Sequence, residues 1–249
     1  MKILLTNDDG INAEGIWELA RAFSRRKIFE VEIAAPMREQ SGMSHALTVG
    51  KKFEYKKINR ENFSAVAIDG TPTDCVKMYL EFLNEGKKID AVVSGINDGA
   101  NLATDVLYSG TVGAALEGFL HDIPALAVSR DRKSEIPFAT VAEDAVQYFS
   151  TLIEHEDLFF HNLNFPKKYF KDFAKFKLTR LGKRDYLNAF VHTQEDGKDF
   201  CEIKGEVFDS DDGEGTDIFA VKQGYVSVTP LHFDVTHHKK INGLTFAEK

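Results

Sequence analysis

Two adjacent carboxylates, Asp8 and Asp9, follow a short apolar segment and precede Gly10. Two carboxylates held side by side repel each other unless one takes up a proton or a cation lies between them. The pair therefore suggests a divalent metal site. The same Asn-Asp-Asp-Gly sequence also fits a tight turn, because Asn, Asp and Gly are common turn residues.

Three further polar clusters follow segments that read as strands. They are Gln40-Ser41-Gly42, residues 94–99 with Asn97, and Tyr108-Ser109-Gly110-Thr111. With the aspartates they offer two carboxylates, a hydroxyl and an amide oxygen, a hard donor set that suits Mg²⁺ or Mn²⁺ better than zinc or copper. Such a cation lowers the pKa of bound water and polarises phosphoryl oxygens. Each cluster taken alone also fits an ordinary turn or loop.

Ser109, Gly110 and Thr111 stand at the start of a predicted helix. Free backbone N–H groups and the positive end of the helix dipole make this position a phosphate cradle, although a Ser there also serves as a plain N-cap. Asn101, in the preceding loop, is a candidate for orienting a phosphate or a water molecule, or else an ordinary loop residue. One histidine, His45, lies in a nearby loop, but without a partner in the sequence it is weak evidence for a general base.

Composition and charge narrow the classes of function. With 249 residues, of which 43% are hydrophobic, the chain can bury a substantial core. A formal net charge of -8 argues against a nucleic-acid partner, because binding to the phosphate backbone needs a basic face. Cys75 and Cys201 lack the spacing of a zinc site or a disulfide framework. The absence of Gly-x-Ser-x-Gly and Walker sequences argues against serine hydrolysis and ATP-driven chemistry.

The N-terminal segment lacks the apolar region of a signal peptide, and no stretch approaches about 18 consecutive apolar residues. We therefore expect a soluble, cytoplasmic protein that has no membrane partner.

Short apolar segments alternate with helical patterns through the first half of the chain, as in consecutive strand-helix-strand units of a parallel sheet. Thr73 is the expected N-cap of one helix, and residues 94–110 are expected to form a Gly/Asn-rich loop. Ligands of an open parallel sheet bind beyond the carboxyl ends of its strands, so the polar clusters should share one edge. The predicted strands are residues 2–6, 31–35, 91–93 and 125–129, with short strands or a hairpin near 47, 53–58 and 66–68; predicted helices include residues 111–120 and 139–153.

Beyond about residue 160 the pattern changes to strands separated by turns, which predicts β-hairpins or arms. An acidic segment at residues 209–217 has Gly at the fifth position and no closing Glu, so it is interpreted as a solvated turn and not as a calcium loop. The strands are predicted at residues 176–181, 186–192, 200–207 and 224–228.

The order of these motifs resembles that of the SurE family, stationary-phase survival proteins that act as metal-dependent nucleoside monophosphate phosphatases. The resemblance spans almost the whole chain. The segments that carry it are Thr6-Asn7-Asp8-Asp9-Gly10, Ala35-Pro36 with Ser41-Gly42, Gly70-Thr71-Pro72-Thr73-Asp74-Cys75-Val76, Ser94-Gly95-Ile96-Asn97, Tyr108-Ser109-Gly110-Thr111-Val112, and residues 224–231.

The resemblance implies an α/β fold: a Rossmann-like, mostly parallel sheet with helices on both faces and C-terminal β-hairpin arms. Residues 1–160 would form the catalytic core, and residues 161–249 an oligomerisation region that completes the same domain. Exchange of the arms between subunits would build a homodimer or homotetramer. One divalent cation per subunit, Mg²⁺ or Mn²⁺, would be held by the family's metal ligands. These map onto Asp8, Asp9, Ser41 and Asn97, with the phosphate at Ser109 to Thr111 and Asn101 nearby.

The implied activity is that of a 5'-nucleotidase, which hydrolyses nucleoside 5'-monophosphates, often 3'-monophosphates, and in some members short polyphosphate. Three positions depart from the family pattern: Ser44 and Ala46 replace the more usual Gly and Ser, and Ala103 stands where Gly is common. These departures bear on loop mobility and base preference, since none of them removes a proposed metal ligand.

The favoured mechanism is attack by a metal-activated water, with Asp8 or Asp9 accepting its proton. A covalent route through Asp8 is the alternative, although enzymes of the haloacid dehalogenase type place their aspartates at alternate positions. A different class of protein also carries an acidic pair after its first strand: a Mg²⁺-binding receiver module, which would be phosphorylated on Asp69 without turnover. A sugar- or nucleotide-binding protein without catalysis is the third reading.

Overall fold

The computed structural model describes residues 1–155 and 158–241, and its strands and helices alternate through the first half of the chain. The strands are β1 Lys2–Thr6, β2 Glu30–Pro36, β3 Tyr55–Arg60, β4 Phe63–Ile68, β5 Ala91–Asp98, β6 Ala125–Arg130, β7 Phe160–Phe165, β8 Phe176–Leu178, β9 Lys183–Leu187, β10 Phe190–Glu195, β11 Lys198–Ile203, β12 Glu206–Asp211 and β13 Val226–Pro230. The α-helices are α1 Glu14–Ser24, α2 Pro72–Met78, α3 Gly110–Leu120, α4 Phe138–Leu152, α5 Asp217–Lys222 and α6 His238–Ile241, and a π-helix, Tyr79–Leu83, continues α2.

Nine of these strands form one sheet in the order β3-β4-β2-β1-β5-β6-β7-β13-β8. The six strands β4, β2, β1, β5, β6 and β7 are parallel to their neighbours in this series. The chain crosses from β1 to β2 on one side and later returns to β5 on the other side of β1. Ligands of open α/β sheets bind where the strand order reverses in this way. The predicted α/β class with a mostly parallel sheet is confirmed.

Helices cover both faces of this sheet. On one face α1 packs against α4, and a T-shaped ring pair between Phe23 and Phe149, with centroids 5.4 Å apart, lies in their shared core. On the other face α2 packs against α3 over Leu4 and Val92 of the sheet. Burial of both faces explains why the central strands are almost continuously apolar.

The boundaries of two predicted elements change. Helix α2 begins two residues earlier than expected, because Thr71 is the N-cap and forms a capping box with Asp74. The predicted loop over residues 94–110 is wrong in its first part. Strand β5 continues to Asp98, where it pairs with Arg130 of β6. A 3-10 turn, Ala103–Leu107, also interrupts this segment. No strand forms near Leu47.

The second half of the chain contributes to the main sheet and to two separate ribbons. Strands β7, β13 and β8 extend the sheet, and β7 is a fully buried strand that the sequence pattern did not indicate. The ribbons are the pairs β9–β12 and β10–β11. The strands predicted at residues 186–192 and 200–207 are each interrupted, at residues 188–189 and at residues 204–205.

Within residues 1–155 and 158–241, no helix is long and apolar enough to cross a membrane. The division of the chain at residue 160 stays a prediction, and the last eight residues of its second part lie outside the described residues.

Candidate active site

A cavity of about 540 Å³ lies at the carboxyl edge of the sheet, beside the reversal between β1 and β5. Loops that are far apart in the sequence meet there, as the parallel sheet predicts. Six of the predicted site residues line it: Asp8, Asp9, Ser41, Asn97, Asn101 and Ser109.

Asp8 lies at the base of this cavity and is only 5% exposed. The hydroxyl of Thr111, in the first turn of α3, donates to Asp8 Oδ1 at 2.5 Å. Burial raises the pKa of Asp8, because the charged form loses solvation, and the hydrogen bond from Thr111 opposes that rise. The hydrogen bond from Thr111 therefore orients the Asp8 carboxylate, but it does not fully compensate for the cost of burying its charge.

Asp9 is the second carboxylate of the pair, and the backbone N–H of Asp98 donates to its Oδ2 at 3.3 Å. Burial first, and then the neighbouring charge of Asp8, raise the pKa of Asp9 to about 6. Repulsion between the two carboxylates is thus built into the fold. A divalent cation bound to both would relieve that repulsion.

The turn interpretation of this segment also applies, because the side chain of Asn7 makes the hydrogen bonds of the turn and the two aspartates take no part in them. Its Nδ2 donates to the carbonyl oxygen of Gly10 at 2.9 Å, and the N–H of Gly10 donates to its Oδ1 at 3.2 Å. The turn holds both carboxylates at the end of β1, so the two interpretations of the sequence are compatible.

Ser41 reaches the cavity from the loop after β2. The N–H of Gln40 donates to the carbonyl oxygen of Asp8 at 2.7 Å, which ties this loop to the acidic pair. The hydroxyl of Ser41 donates to Glu39 Oε1 at 2.7 Å. Glu39 is a third carboxylate near the pair, and its charge contributes to the raised pKa values of both Asp8 and Asp9.

The same loop is fixed against α3 at a second point. The N–H of Ser44 donates to the carbonyl oxygen of Tyr108 at 3.0 Å. His45, which the sequence left without a partner, contacts buried Glu117 at 2.7 Å between Nε2 and Oε2. Gly113 makes this packing feasible, because a Cβ there would lie 2.4 Å from the carbonyl oxygen of Ser44.

Asn97 belongs to the last residues of β5. Its Nδ2 donates to the carbonyl oxygen of Gly99 at 2.6 Å, so its Oδ1 is the atom left for a cation. The strand approaches this point through Gly95, which has a φ of 142° and whose Cβ would lie 2.3 Å from the carbonyl oxygen of Val128. Only glycine satisfies both conditions.

Of the three residues predicted to bind a phosphate, Ser109, Gly110 and Thr111, only Ser109 lines the cavity. Ser109 is the N-cap of α3, accepting from the N–H of Val112 at 3.1 Å, and it lines the cavity. Gly110 packs against Asp8, since a Cβ there would lie 3.1 Å from Asp8 Oδ2. The hydroxyl of Thr111 is engaged by Asp8. The Ser109 hydroxyl proton and the start of the helix are therefore the donors that remain for an anion.

Asn101 is held rigidly in the wall of the cavity. Asn162 and Asn164 of β7 both donate to its carbonyl oxygen, at 2.8 and 3.0 Å. Its own Nδ2 donates to Ser129 Oγ at 2.7 Å. The two asparagines of β7 were not identified from the sequence, because nothing local shows that this strand is central.

Other cavity residues were also missed by sequence reasoning. Arg132 comes from the loop after β6, while Tyr186, Phe190 and Ile203 come from the two ribbons. Their place at the site depends on how the second half of the chain folds back, and no motif in the sequence marks it.

The donor set fits a hard divalent cation. Among residues 1–155 and 158–241 there is no group of three or more His, Cys, Asp or Glu side chains suited to a metal ion. A cation at Asp8 and Asp9 would therefore take its other protein ligands from neutral oxygens, such as those of Ser41 and Asn97, as Mg²⁺ commonly does. Asp69 does not line the cavity and is paired with Arg38 at 2.9 Å.

The mostly parallel sheet, the cavity at its switch point and the acidic oxygen donors together define an α/β protein with a candidate site for an anionic ligand beside a cation. A family model described as Survival protein SurE matches residues 3–188. The chain belongs to the SurE family.

Relatives of this chain carry a more specific description. A protein described as 5'-nucleotidase SurE from Caldanaerobacter subterraneus subsp. tengcongensis is 40% identical, covering 98% of this chain and 96% of that protein. The protein of the same description from Pelotomaculum thermopropionicum is 42% identical, with coverages of 96% and 92%. The crystal structure of the SurE protein from Aquifex aeolicus superposes with a TM-score of 0.82, at 38% identity, covering 98% of both chains. The receiver interpretation finds no support in these comparisons.

Proposed function

We propose that this chain is a divalent-metal-dependent phosphatase that hydrolyses nucleoside 5'-monophosphates to nucleoside and phosphate. Nucleoside 3'-monophosphates and short polyphosphate are further candidate substrates. The observation that carries the proposal is that Asp8, Asp9, Ser41 and Asn97 line the same cavity as Ser109 at the start of α3. The descriptions of the relatives as 5'-nucleotidases support it.

In this proposal Asp8, Asp9, Ser41 and Asn97 hold one Mg²⁺ or Mn²⁺ ion per subunit. The bound cation would supply a water molecule of lowered pKa and neutralise charge on the phosphoryl group. Ser109 and the start of α3 bind the phosphate, since the positive end of the helix dipole favours an anion there.

Asp9 is the better placed of the two carboxylates to accept the proton of the attacking water. The Thr111 hydroxyl already donates to Asp8 Oδ1, whereas Asp9 receives one weaker hydrogen bond, from the N–H of Asp98 at Oδ2. Asn101 would position substrate or water from a wall that Asn162 and Asn164 keep rigid. The apolar side chains of Phe190 and Ile203 give the cavity a surface on which a nucleoside can rest.

Hydrolysis of AMP and of p-nitrophenyl phosphate, measured with Mg²⁺, with Mn²⁺ and with EDTA, tests the proposal. We expect turnover with metal and none with EDTA. Asp8→Asn should abolish turnover while the fold is retained. Asp69→Asn is the matched control, because Asp69 is also an acidic residue following a strand of this sheet but does not line the cavity.

The alternatives give different results in the same assay. A receiver module would show no turnover and would lose phosphorylation in Asp69→Asn. A non-catalytic binding protein would bind AMP in calorimetry but release no phosphate. A phosphoprotein trapped during turnover and lost in Asp8→Asn would replace direct attack by water with the covalent route.

We also propose that the ribbons β9–β12 and β10–β11 are arms exchanged in a homodimer or homotetramer. Several of their large apolar side chains are exposed in the single chain: Leu187, Phe190, Phe200, Ile203, Val207 and Phe208. Surfaces of this kind usually mark an interface. Light scattering should give a mass of two or four chains, and a monomer at micromolar concentration would contradict the proposal.

A further inference from the structure

Arg132 has a distinctive place in the cavity. It lies two residues beyond the end of β6, and within the described ranges it is the one Lys or Arg side chain that lines the cavity. Three carboxylates, Asp8, Asp9 and Asp105, share that lining. Asp105 is already paired with Arg184 at 3.0 Å. The single cationic side chain therefore stands beside the site at which an anionic substrate must be bound.

Unlike most arginines of this chain, Arg132, which is exposed, has no carboxylate partner among the described residues. Seven of the nine arginines have a carboxylate within 4.0 Å in the described residues: Arg21, Arg25, Arg38, Arg60, Arg130, Arg180 and Arg184. Arg26 contacts the side-chain oxygen of Gln147. Arg132 makes one described hydrogen bond, from Nε to the carbonyl oxygen of Asp98 at 3.3 Å.

Arg130 shows how a nearby arginine is satisfied structurally. It donates to Asp98 Oδ1 at 2.8 Å and to the carbonyl oxygen of Ile136 at 2.9 Å, and it stacks on Phe138. Arg130 therefore neutralises the Asp98 carboxylate. The one described hydrogen bond of Arg132 goes to the backbone of Asp98, which leaves its Nη1 and Nη2 groups for another acceptor.

The Asp98 backbone also fixes where this free guanidinium lies. The carbonyl oxygen of Asp98 accepts from Arg132, and the N–H of the same residue donates to Asp9 Oδ2. A Cβ added to Gly99 would lie 3.5 Å from Asn97 Nδ2 and 3.8 Å from Arg132 Nη2. Arg132 thus lies close to Asn97 and to the residue that binds Asp9, whereas the start of α3 contacts Asp8.

We propose that Arg132 is a substrate-binding residue whose Nη1 and Nη2 groups contact the non-bridging oxygens of the phosphoryl group. This inference rests on the proposed phosphatase function and adds a preference to it. Arginine suits planar, paired hydrogen bonds to phosphate oxygens. A phosphomonoester dianion presents three such oxygens to the two sides of the cavity, whereas a diester has one oxygen fewer and a single charge. Because the paired hydrogen bonds of Arg132 occupy two of these oxygens and the start of α3 needs a third, Arg132 favours monoesters over diesters.

The test compares wild type, Arg132→Ala, Arg132→Lys and Arg26→Ala, all loaded with Mg²⁺. Arg26→Ala is the matched control, because Arg26 also has no described carboxylate partner but does not line the cavity. We expect Arg132→Ala to lower kcat/KM for p-nitrophenyl phosphate by about 10- to 100-fold. For bis(p-nitrophenyl) phosphate the loss should be less than about 3-fold, because that substrate lacks the second charge. Arg132→Lys should recover part of the loss, and Arg26→Ala should resemble wild type.

Binding of inorganic phosphate, measured by calorimetry, separates this inference from the proposed function. A fall in phosphate affinity of about 10-fold in Arg132→Ala supports the role of Arg132 even if wild type hydrolyses no phosphoester. Equal phosphate affinity in wild type and Arg132→Ala, or the same loss of activity on monoester and diester, would overturn it. Thermal unfolding of each variant verifies that the fold is intact, and Arg132→Gln replaces Arg132→Ala if the alanine variant unfolds.

Discussion

The Thr111 hydroxyl donates to Asp8 Oδ1 at 2.5 Å, which joins the first turn of α3 directly to the end of β1. Residue 111 is fully buried, and Asp8 is nearly so. The first acidic residue is therefore oriented by the helix that presents Ser109 to the cavity. In the proposed site, the metal ligand Asp8 and the phosphate-binding segment at the start of α3 therefore form one structural unit.

Replacing Thr111 with Val should weaken cation binding. Loss of the hydroxyl removes a hydrogen bond that favours the ionised carboxylate, so the pKa of Asp8 rises further and protons compete better with the cation. Residues that orient a metal ligand typically contribute about 10- to 100-fold in affinity. Titration calorimetry with Mn²⁺ would measure the change. Thr111→Ser keeps the hydroxyl and should stay within about 3-fold of wild type; equal weakening in both variants would contradict this role.

Asp9 should contribute a fall in the stability of the metal-free protein as the pH rises from about 4 to about 6, seen as the difference between wild type and a variant that lacks this carboxyl. The pKa of Asp9 is raised from 3.8 to about 6, so the folded state binds a proton that the unfolded state has lost in this window. The stabilisation is complete below the unfolded pKa and is lost as the pH rises through the folded one. Urea unfolding in EDTA at several pH values measures it.

Asp9→Asn is the control for this pH dependence, because it removes the titrating group while keeping the shape of the side chain. The variant should lose much of the decline between pH 4 and pH 6. Saturating Mg²⁺ should reverse the decline in wild type, since a cation takes the place of the proton. An identical decline in wild type and Asp9→Asn would show that Asp9 is not its source.

Replacing Gly113 with Ala should displace the loop that carries Ser41. The added Cβ would lie 2.4 Å from the carbonyl oxygen of Ser44, and backbone cannot yield as a side chain can. Overpacking of this kind costs about 1–3 kcal/mol, and here it should also lower metal affinity. Gly118→Ala is matched to it, because its Cβ would meet the side chain of Val92 at 2.6 Å in the same helix but away from the site. Denaturant unfolding should show a loss of stability in both variants. Calorimetry with Mn²⁺ should show a loss of metal affinity only in Gly113→Ala.

Asp217→Asn should loosen the wall that contains Asn101. Asp217 accepts backbone hydrogen bonds from Ala103 at 2.7 Å and from Gly182 and Ile218 at 2.9 Å. An amide group replaces one acceptor oxygen with a donor, so at least one buried N–H loses its partner at a cost of about 1–3 kcal/mol. Urea unfolding gives the change in stability. Asp212→Asn, which removes an exposed ion pair with Lys222, should cost less than about 1 kcal/mol.

The sequence contains the signals for the central sheet and its edge, because these depend on local periodicity. Strand β1 was predicted with its observed bounds, and the acidic pair lies where the pattern placed it. The start of α2 can also be predicted from the sequence. Pro72 favours the first helical position, which makes Thr71 the N-cap in preference to Thr73.

Other features depend on contacts between distant parts of the chain. Strand β5 extends to Asp98 because it pairs with β6, and no local signal distinguishes that extension from a loop. Strand β7 carries buried asparagines whose partner is the backbone of Asn101, 61 and 63 residues earlier. Periodicity reports burial of apolar side chains, so it fails for a central strand that carries amide groups. For the same reason, no local pattern in the sequence indicates that Arg132 lies at the cavity.

The loops around the cavity are contributed at widely separated points of the chain, from Asp8 near the N-terminus to Ile203 in the second ribbon. During translation the aspartates leave the ribosome first, with none of their neighbours beside them. Most of the polypeptide must be made before these pieces can close around an ester. A nascent or prematurely ended product that stops before the ribbons therefore carries the carboxylates without the cavity wall that Tyr186, Phe190 and Ile203 form.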